Sequence, residues 1–427
     1  MSTAVILFLL IALMLTGMPI SISLGLTVLS FLYLFTHVPI ESVALKLFTG
    51  IEKFEIMAIP FFILAGNFLT HGGVAKRMIN FASAMVGHWY GGLGLAGVLA
   101  CALFAAVSGS SPATVVAIGS ILLPAMVKAG FPNKFGAGVI ATSGALGILI
   151  PPSIVMVMYS VATNTSVGAL FMAGVIPGLA LAGVLGAVTW YRARKFDYPR
   201  QPKASWGERL KAFRASAWGL LLIVVVMGGI YSGMFTPTEA AAMSAVYAFI
   251  VAVFVYKDMG LKDVPKVLLN SANMSAMLLY IITNAVLFSF IMTNENIPQA
   301  LADWMLGNGL GVITFLLAVN VILLLAGNFM EPSSIVLIFA PILFPVAVKL
   351  GIHPVHFGIL MVVNMEVGMC HPPVGLNLYV ASGITKMGIT ELTIAVWPWL
   401  LSMLGFLMVV TYWPNLSLWL PRAMGML

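Results

Sequence analysis

Apolar runs close to the ~20 residues that span a bilayer recur from one end of this chain to the other, and no other feature constrains its fold as tightly. They fall at about 3–16, 20–36, 56–70, 91–107, 113–127, 135–162, 167–191, 217–233, 239–256, 271–292, 311–327, 333–348, 356–383 and 391–413. Only 8% of the 427 residues are charged, against about 25% in a soluble domain. So few charges cannot coat a water-soluble surface of this size. In hydrocarbon every backbone N–H and C=O must be paired within the protein, which leaves helices or closed barrels. The runs are rich in Leu, Ala and Met, and the alternating ~10-residue pattern of barrel strands is absent. The expected class is an all-α polytopic membrane protein with the lipid bilayer as its solvent.

The formal charge of +7 does not point to nucleic acid, because the basic residues are scattered over short segments between apolar runs. Membrane orientation accounts for them better. Cys101 and Cys370 lie inside apolar runs and form no CxxC, so they read as small buried hydrophobes. The N-terminus lacks a basic leader and a small-residue cleavage site, so 3–16 is expected to remain as a first helix.

The one long polar stretch, 192–216, holds eight of the twenty Lys and Arg residues. The chain repeats itself on either side of it. Pro112 matches Pro332 at an offset of 220, and Phe135-Gly136 matches Phe357-Gly358 at 222. Pro124, Lys128 and Gly130 match Pro345, Lys349 and Gly351, and Pro151-Pro152 matches Pro372-Pro373, all at 221. A collinear series at a nearly fixed offset indicates duplication: a first repeat 1–191, a linker 192–216 and a second repeat 217–427. Two pairs of runs, 91–107 with 113–127 and 311–327 with 333–348, are joined by polar, helix-breaking tips and read as re-entrant hairpins. Each repeat then crosses the membrane an odd number of times, so the repeats have inverted topology. With 192–216 in the cytoplasm, sixteen basic residues fall inside and four outside, the sense of the positive-inside rule. Both termini are then outside. Full crossings in place of hairpins would leave this count unchanged, but each arm is shorter than a full span.

The first tip reads Ser108-Gly109-Ser110-Ser111-Pro112 and the second Gly327-Asn328-Phe329-Met330-Glu331-Pro332-Ser333. Each proline opens a helix at a position where its missing N–H costs nothing. Hydroxyl and amide oxygens beside the carbonyls of the preceding helix end suit a hard cation such as sodium, while the following helix N-terminus suits a carboxylate. The long runs 135–162 and 356–383 are broken by Pro-Pro pairs, which free backbone carbonyls at membrane depth. Two sodium sites are expected: one among Ser108, Ser110, Ser111, Ser143, Gly144 and Gly147, its mate among Gly327, Asn328, Ser333, Asn364 and Gly368. The substrate is expected between the tips, met by Ser110, Ser111 and Asn328 and by the helix starts at Pro112 and Pro332. Glu331 and Glu366, ionisable groups within membrane segments, are candidates for ion or proton coupling, and an ordinary structural role stands beside that reading. Glu239 reads as a helix-start residue, and His371 as a structural histidine beside a kink. No HExxH, GxSxG or Walker A sequence is present, so neither an enzyme nor a nucleotide-driven pump is expected.

The chain resembles the large membrane subunit of tripartite ATP-independent periplasmic (TRAP) transporters. The match is carried by Ser108-Gly-Ser-Ser-Pro-Ala-Thr114, Gly147-Ile-Leu-Ile-Pro-Pro-Ser153, Phe235-Thr-Pro-Thr-Glu-Ala-Ala-Ala242, Gly327-Asn-Phe-Met-Glu-Pro-Ser333 and Pro372-Pro-Val-Gly-Leu-Asn377. It covers essentially the whole chain. The Asn328-Phe-Met-Glu331 tip resembles the C4-dicarboxylate branch. The resemblance implies a sodium-coupled elevator fold of the ion-transporter superfamily in the bacterial inner membrane. The expected activity is import of an organic acid, with at least two sodium ions at the matched tips and, from the charge count, both termini periplasmic. The resemblance also implies two partners: a small four-helix membrane subunit, expected as a separate chain, and a soluble periplasmic binding protein. The moving transport unit is expected at about 56–162 and 271–383, and the scaffold at about 1–55, 167–256 and 391–427. The alternative is a stand-alone ion-coupled anion transporter that needs no binding protein.

Overall fold

The computed structural model describes residues 2–36, 39–309, 311–328, 330–372 and 375–427. Phe329 of the second tip, and Pro373 and Val374 of the second break, lie outside the described residues. No strand occurs among the described residues, and eight helices are long and apolar enough to cross a membrane.

The first half contains α1 (Ser2–Leu15), α2 (Ile20–Phe35), α3 (Ile40–Thr49), α4 (Ala58–His71), α5 (Val74–Val86), α6 (Gly92–Ser108), α7 (Ser111–Lys128), α8 (Asn133–Ser143), α9 (Ile154–Thr163) and α10 (Val167–Lys195). The second contains α11 (Trp206–Tyr231), α12 (Pro237–Ile250), α13 (Val264–Asn294), α14 (Ile297–Gly307), α15 (Val312–Gly327), α16 (Pro332–Lys349), α17 (Pro354–Cys370), α18 (Leu376–Thr385), α19 (Ile389–Tyr412) and α20 (Asn415–Ala423). One plan therefore recurs: a short amphipathic helix (α5, α14), a helical hairpin (α6–α7, α15–α16), a broken segment (α8–α9, α17–α18) and a long apolar helix (α10, α19).

The hairpins form where the sequence predicts. Gly109, at φ +60°, ends α6 in the left-handed region that glycine adopts without strain. Pro112 and Pro332 sit in the first turns of α7 and α16. Both long runs break as expected: a short 3₁₀ stretch, Gly144–Ile148, ends the first arm before the Pro-Pro turn, and 371–375 separates α17 from α18.

Two expectations change. The polar stretch 192–216 is mostly helical. α10 continues to Lys195, and α11 starts at Trp206 behind a capping box in which Ser205 and Glu208 bond each other's backbone N–H. The connection is only 196–205. It is pinned by Gln201 N–H donating to the Gly87 carbonyl (3.1 Å) and by Tyr198 packed edge-on to Phe131 and Phe135. Counting apolar runs clips helix ends that project beyond the hydrocarbon.

The second concerns which helices pack together. α4 packs on α12 and α6, α13 on α2, α3, α4 and α16, and α11 on α12 and α5. By contrast α10 packs on α6, α17, α19 and α20, and α19 packs on α8 and α17. α10 and α19, expected in the scaffold, thus pack on hairpin and broken-segment helices, while α4 and α13, expected in the transport unit, pack on helices of both groups. Trp399 of α19 shows why. It is fully buried, its indole N–H donates to Thr189 Oγ1 of α10 at 2.9 Å, and its ring lies so close to Gly138 of α8 that a Cβ there would be 2.6 Å from it.

Candidate functional site

The hairpin tips and the breaks converge. Ser111 Oγ, fully buried at the start of α7, donates to the Gly144 carbonyl at 2.9 Å and bonds Asn377 at the start of α18, in the second broken segment. Asn377 Nδ2 reaches both Ser111 Oγ (2.8 Å) and the Ala141 carbonyl (3.2 Å). The first tip is thus tied to both broken segments. Ser108 Oγ contacts Thr114 Oγ1 at 2.9 Å, and Thr114 donates to the Ser110 carbonyl at 2.9 Å. Glycine is required where the tip meets the break, since a Cβ on Gly147 would lie 2.6 Å from the Ser110 carbonyl carbon and oxygen. Six residues expected around the first cation, Ser108, Ser110, Ser111, Ser143, Gly144 and Gly147, therefore share one neighbourhood.

The second tip repeats the arrangement with backbone against backbone. A Cβ on Gly327 would lie 2.9 Å from Gly368 Cα, and one on Gly368 would lie 3.0 Å from Gly327 Cα. Asn364 Nδ2, fully buried, donates to Asn320 Oδ1 (2.9 Å) and to its carbonyl (3.1 Å), and Asn320 in turn donates to Thr411 Oγ1 at 2.9 Å. Ser333 is buried at the start of α16.

Two of the buried side-chain oxygens without a hydrogen-bond partner are Ser143 Oγ and Asn364 Oδ1. The repeat offset of 221 makes these two residues equivalent. A buried polar oxygen is costly to leave unpaired, and here two matched oxygens face that cost, each in a broken segment beside a tip. Their chemistry, a neutral oxygen next to freed carbonyls, fits a sodium ion. Glu366, on the turn after Asn364, is also fully buried, and neither of its oxygens has a partner.

Between the tips lies a cavity of about 330 Å³. Ser110, Ser111 and Pro112 of the first tip line it, with Glu331, Pro332 and Ser333 of the second. The breaks contribute Ile148, Ile154, Met369 and Leu376, and α4 and α13 contribute Asn67, Thr70, Met274 and Met277. Among the described residues no Lys or Arg lines it. The positive field for an anion there must come from the N-termini of α7 and α16, which open at its wall. Glu331 accepts from Ser334 Oγ at 3.3 Å. Asn328 does not line the cavity: it is buried, with Oδ1 3.0 Å from His371 Nδ1. The sequence reading passed over Asn377, Asn320 and Asn67. Each stands in or beside an apolar run, where an amide must find a polar partner. That was the available signal.

The sequence profile of the family described as "Tripartite ATP-independent periplasmic transporter, DctM component" matches residues 7–416. The chain is 76% identical over 440 aligned residues to the C4-dicarboxylate TRAP transporter large permease protein DctM of Rhodobacter capsulatus, covering 100% of both chains. It is 55% identical over 404 residues to the protein of the same description from Pseudomonas aeruginosa, covering 95% of each. Among solved structures, the Alcanivorax borkumensis YdaH transporter matches with a TM-score of 0.64 over 89% of this chain and 88% of that one, at 16% identity. That likeness is one of fold.

Proposed function

Because the chain belongs to the DctM component family of tripartite ATP-independent periplasmic transporters, and so is a multi-pass permease subunit rather than an enzyme, we propose that it imports a C4-dicarboxylate with sodium by an elevator movement. The observation that carries this reading is the cavity between two hairpin tips, flanked by the matched, unpartnered oxygens of Ser143 and Asn364. Two sodium ions at these oxygens would complete the coordination that the protein leaves open. They would also supply positive charge beside a cavity that has no cationic side chain, so substrate and sodium would each strengthen binding of the other. The helix starts at Pro112 and Pro332 orient one carboxylate, with Ser110 as a neighbouring donor. The names of the 76% and 55% identical relatives support the dicarboxylate assignment.

The moving body in this proposal is the group formed by the hairpins, the broken segments, α10 and α19. The scaffold is α1–α4 with α11–α13, and the amphipathic α5 and α14 connect scaffold to hairpins. The inverted repeats supply two exchangeable arrangements around one site. The subunit sits in the bacterial inner membrane with both termini periplasmic, and works with a small membrane subunit and a periplasmic binding protein. Reconstitution of all three proteins in liposomes tests this: C4-dicarboxylate uptake should require the binding protein. Equal uptake of free substrate without it would favour a stand-alone transporter.

A further inference from the structure

A second polar cavity, of about 560 Å³, lies at the far end of α9. Lys53, Glu55, Ser160, Asn164, Thr165 and Ser166 contribute its polar wall, and Val167 and Gly168 bring in the first turn of α10. The central cavity touches α9 at Ile154 and the outer one touches it at Val161 and Asn164. Their nearest lining residues on α9, Val155 and Ser160, are five apart, which at ~1.5 Å per residue is about 7.5 Å along the helix.

Lys53 organises this outer cavity. Its ammonium donates to the Val161 carbonyl at 2.6 Å and to Asn164 Oδ1 at 2.7 Å. An ammonium has three N–H donors, so one remains. The residue is half-buried; burial lowers its pKa from the ordinary lysine value, and the nearby Glu55 carboxylate offsets part of that. Both effects matter for function: partial dehydration strengthens an ion pair, and Glu55 helps to keep the charge in place. The unpaired N–H groups at the start of α10 add a second, fixed source of positive potential. Lys53 belongs to the connection between α3 and α4, on the scaffold side, whereas Val161 and Asn164 belong to the broken segment. The site is therefore assembled from both bodies.

We propose that this cavity is an outer binding site for one carboxylate of the incoming substrate, held by the Lys53 ammonium before the substrate reaches the central cavity. The proposal rests on the transport function above. Among the described residues no cationic side chain lines the central cavity, so the Lys53 ammonium is suited to capture an anion, and the sodium-dependent central site is suited to retain it. When the broken segment moves relative to the scaffold, the bonds from Lys53 to Val161 and Asn164 part and the outer site comes apart, which frees the carboxylate to move inward.

The test uses the complete three-protein complex in liposomes, with succinate as the probe and the succinate-loaded binding protein varied. Lys53→Met removes a charge-assisted hydrogen bond to the ligand. It should raise the half-saturating concentration by about tenfold or more while leaving the maximal rate and the sodium dependence in place. Lys53→Arg should restore most of the loss. If Lys53→Met is not recovered as folded protein, Lys53→Gln, which keeps a donor but not the charge, should show the same rise. An unchanged half-saturating concentration, or a fall in maximal rate alone, would overturn the outer site and leave Lys53 as a structural bridge. Failure of the unsubstituted complex to take up succinate would instead overturn the proposed function.

Discussion

Ser143→Ala separates a bound ion from ordinary structure, because the two predict opposite signs. Ser143 is fully buried and its hydroxyl has no partner. Leaving a buried hydroxyl unsatisfied costs about 1–3 kcal/mol, so without sodium its removal should be neutral or stabilising. With sodium present the same hydroxyl becomes a ligand. An ion that binds only the folded state stabilises it by RT ln(1 + [L]/Kd), about 2.7 kcal/mol at a hundredfold excess over Kd. Weakening the site tenfold would remove about 1.3 kcal/mol of that gain at the same concentration. The assay is the thermal midpoint of purified protein titrated with sodium chloride against potassium chloride at constant ionic strength. The variant should match or exceed the unsubstituted protein in potassium, and its gain on exchanging potassium for sodium should be smaller by about 1.3 kcal/mol. If Ser143→Ala is less stable in potassium yet keeps the full sodium response, the first cation site is not at Ser143.

Gly368→Ala places a methyl group about 3.0 Å from Gly327 Cα, and overpacking of this kind costs about 1–3 kcal/mol. It should push the second tip from its break and abolish sodium-dependent uptake with membrane insertion intact; normal uptake would refute the tip contact. A disulfide between cysteines at Gly168 and Ile230, where a Cβ on Gly168 lies 3.8 Å from the Ile230 side chain, joins the two bodies. Oxidation should stop uptake and reductant should restore it, whereas full transport under a proven crosslink would refute the elevator. A single cysteine at Ser205 should resist impermeant maleimide added to intact cells, and labelling from outside would invert the topology.

The features legible in the sequence are those marked by punctuation. Prolines at 112, 332 and 151–152, with glycine and hydroxyl residues around them, disclosed both hairpins and the first break because few conformations tolerate them at membrane depth. The repeat offset pairs Ser143 with Asn364, and both carry an unpartnered oxygen. The amphipathic helices α3, α5, α14 and α20 escaped notice, since a search for apolar runs is blind to short helices with one polar face. Asn377 was missed for another reason. It reaches across from the second half to Ser111 of the first, a contact that a repeat alignment does not contain, because the alignment relates equivalent residues and not touching ones. The packing of α10 and α19 on the hairpins and broken segments is not legible, because an unbroken apolar helix has the same sequence whatever it packs against.

The central claim is that two sodium ions at the matched tip–break junctions drive transport. The measurement that tests it most directly is the initial rate of C4-dicarboxylate uptake by the reconstituted complex as a function of external sodium, with the proton gradient collapsed and ATP absent. The account predicts a sigmoidal dependence, as cooperative binding of two ions demands, and no uptake when choline replaces sodium. Undiminished uptake in sodium-free buffer, driven by a proton gradient alone, would contradict it and move the coupling to Glu331 and Glu366.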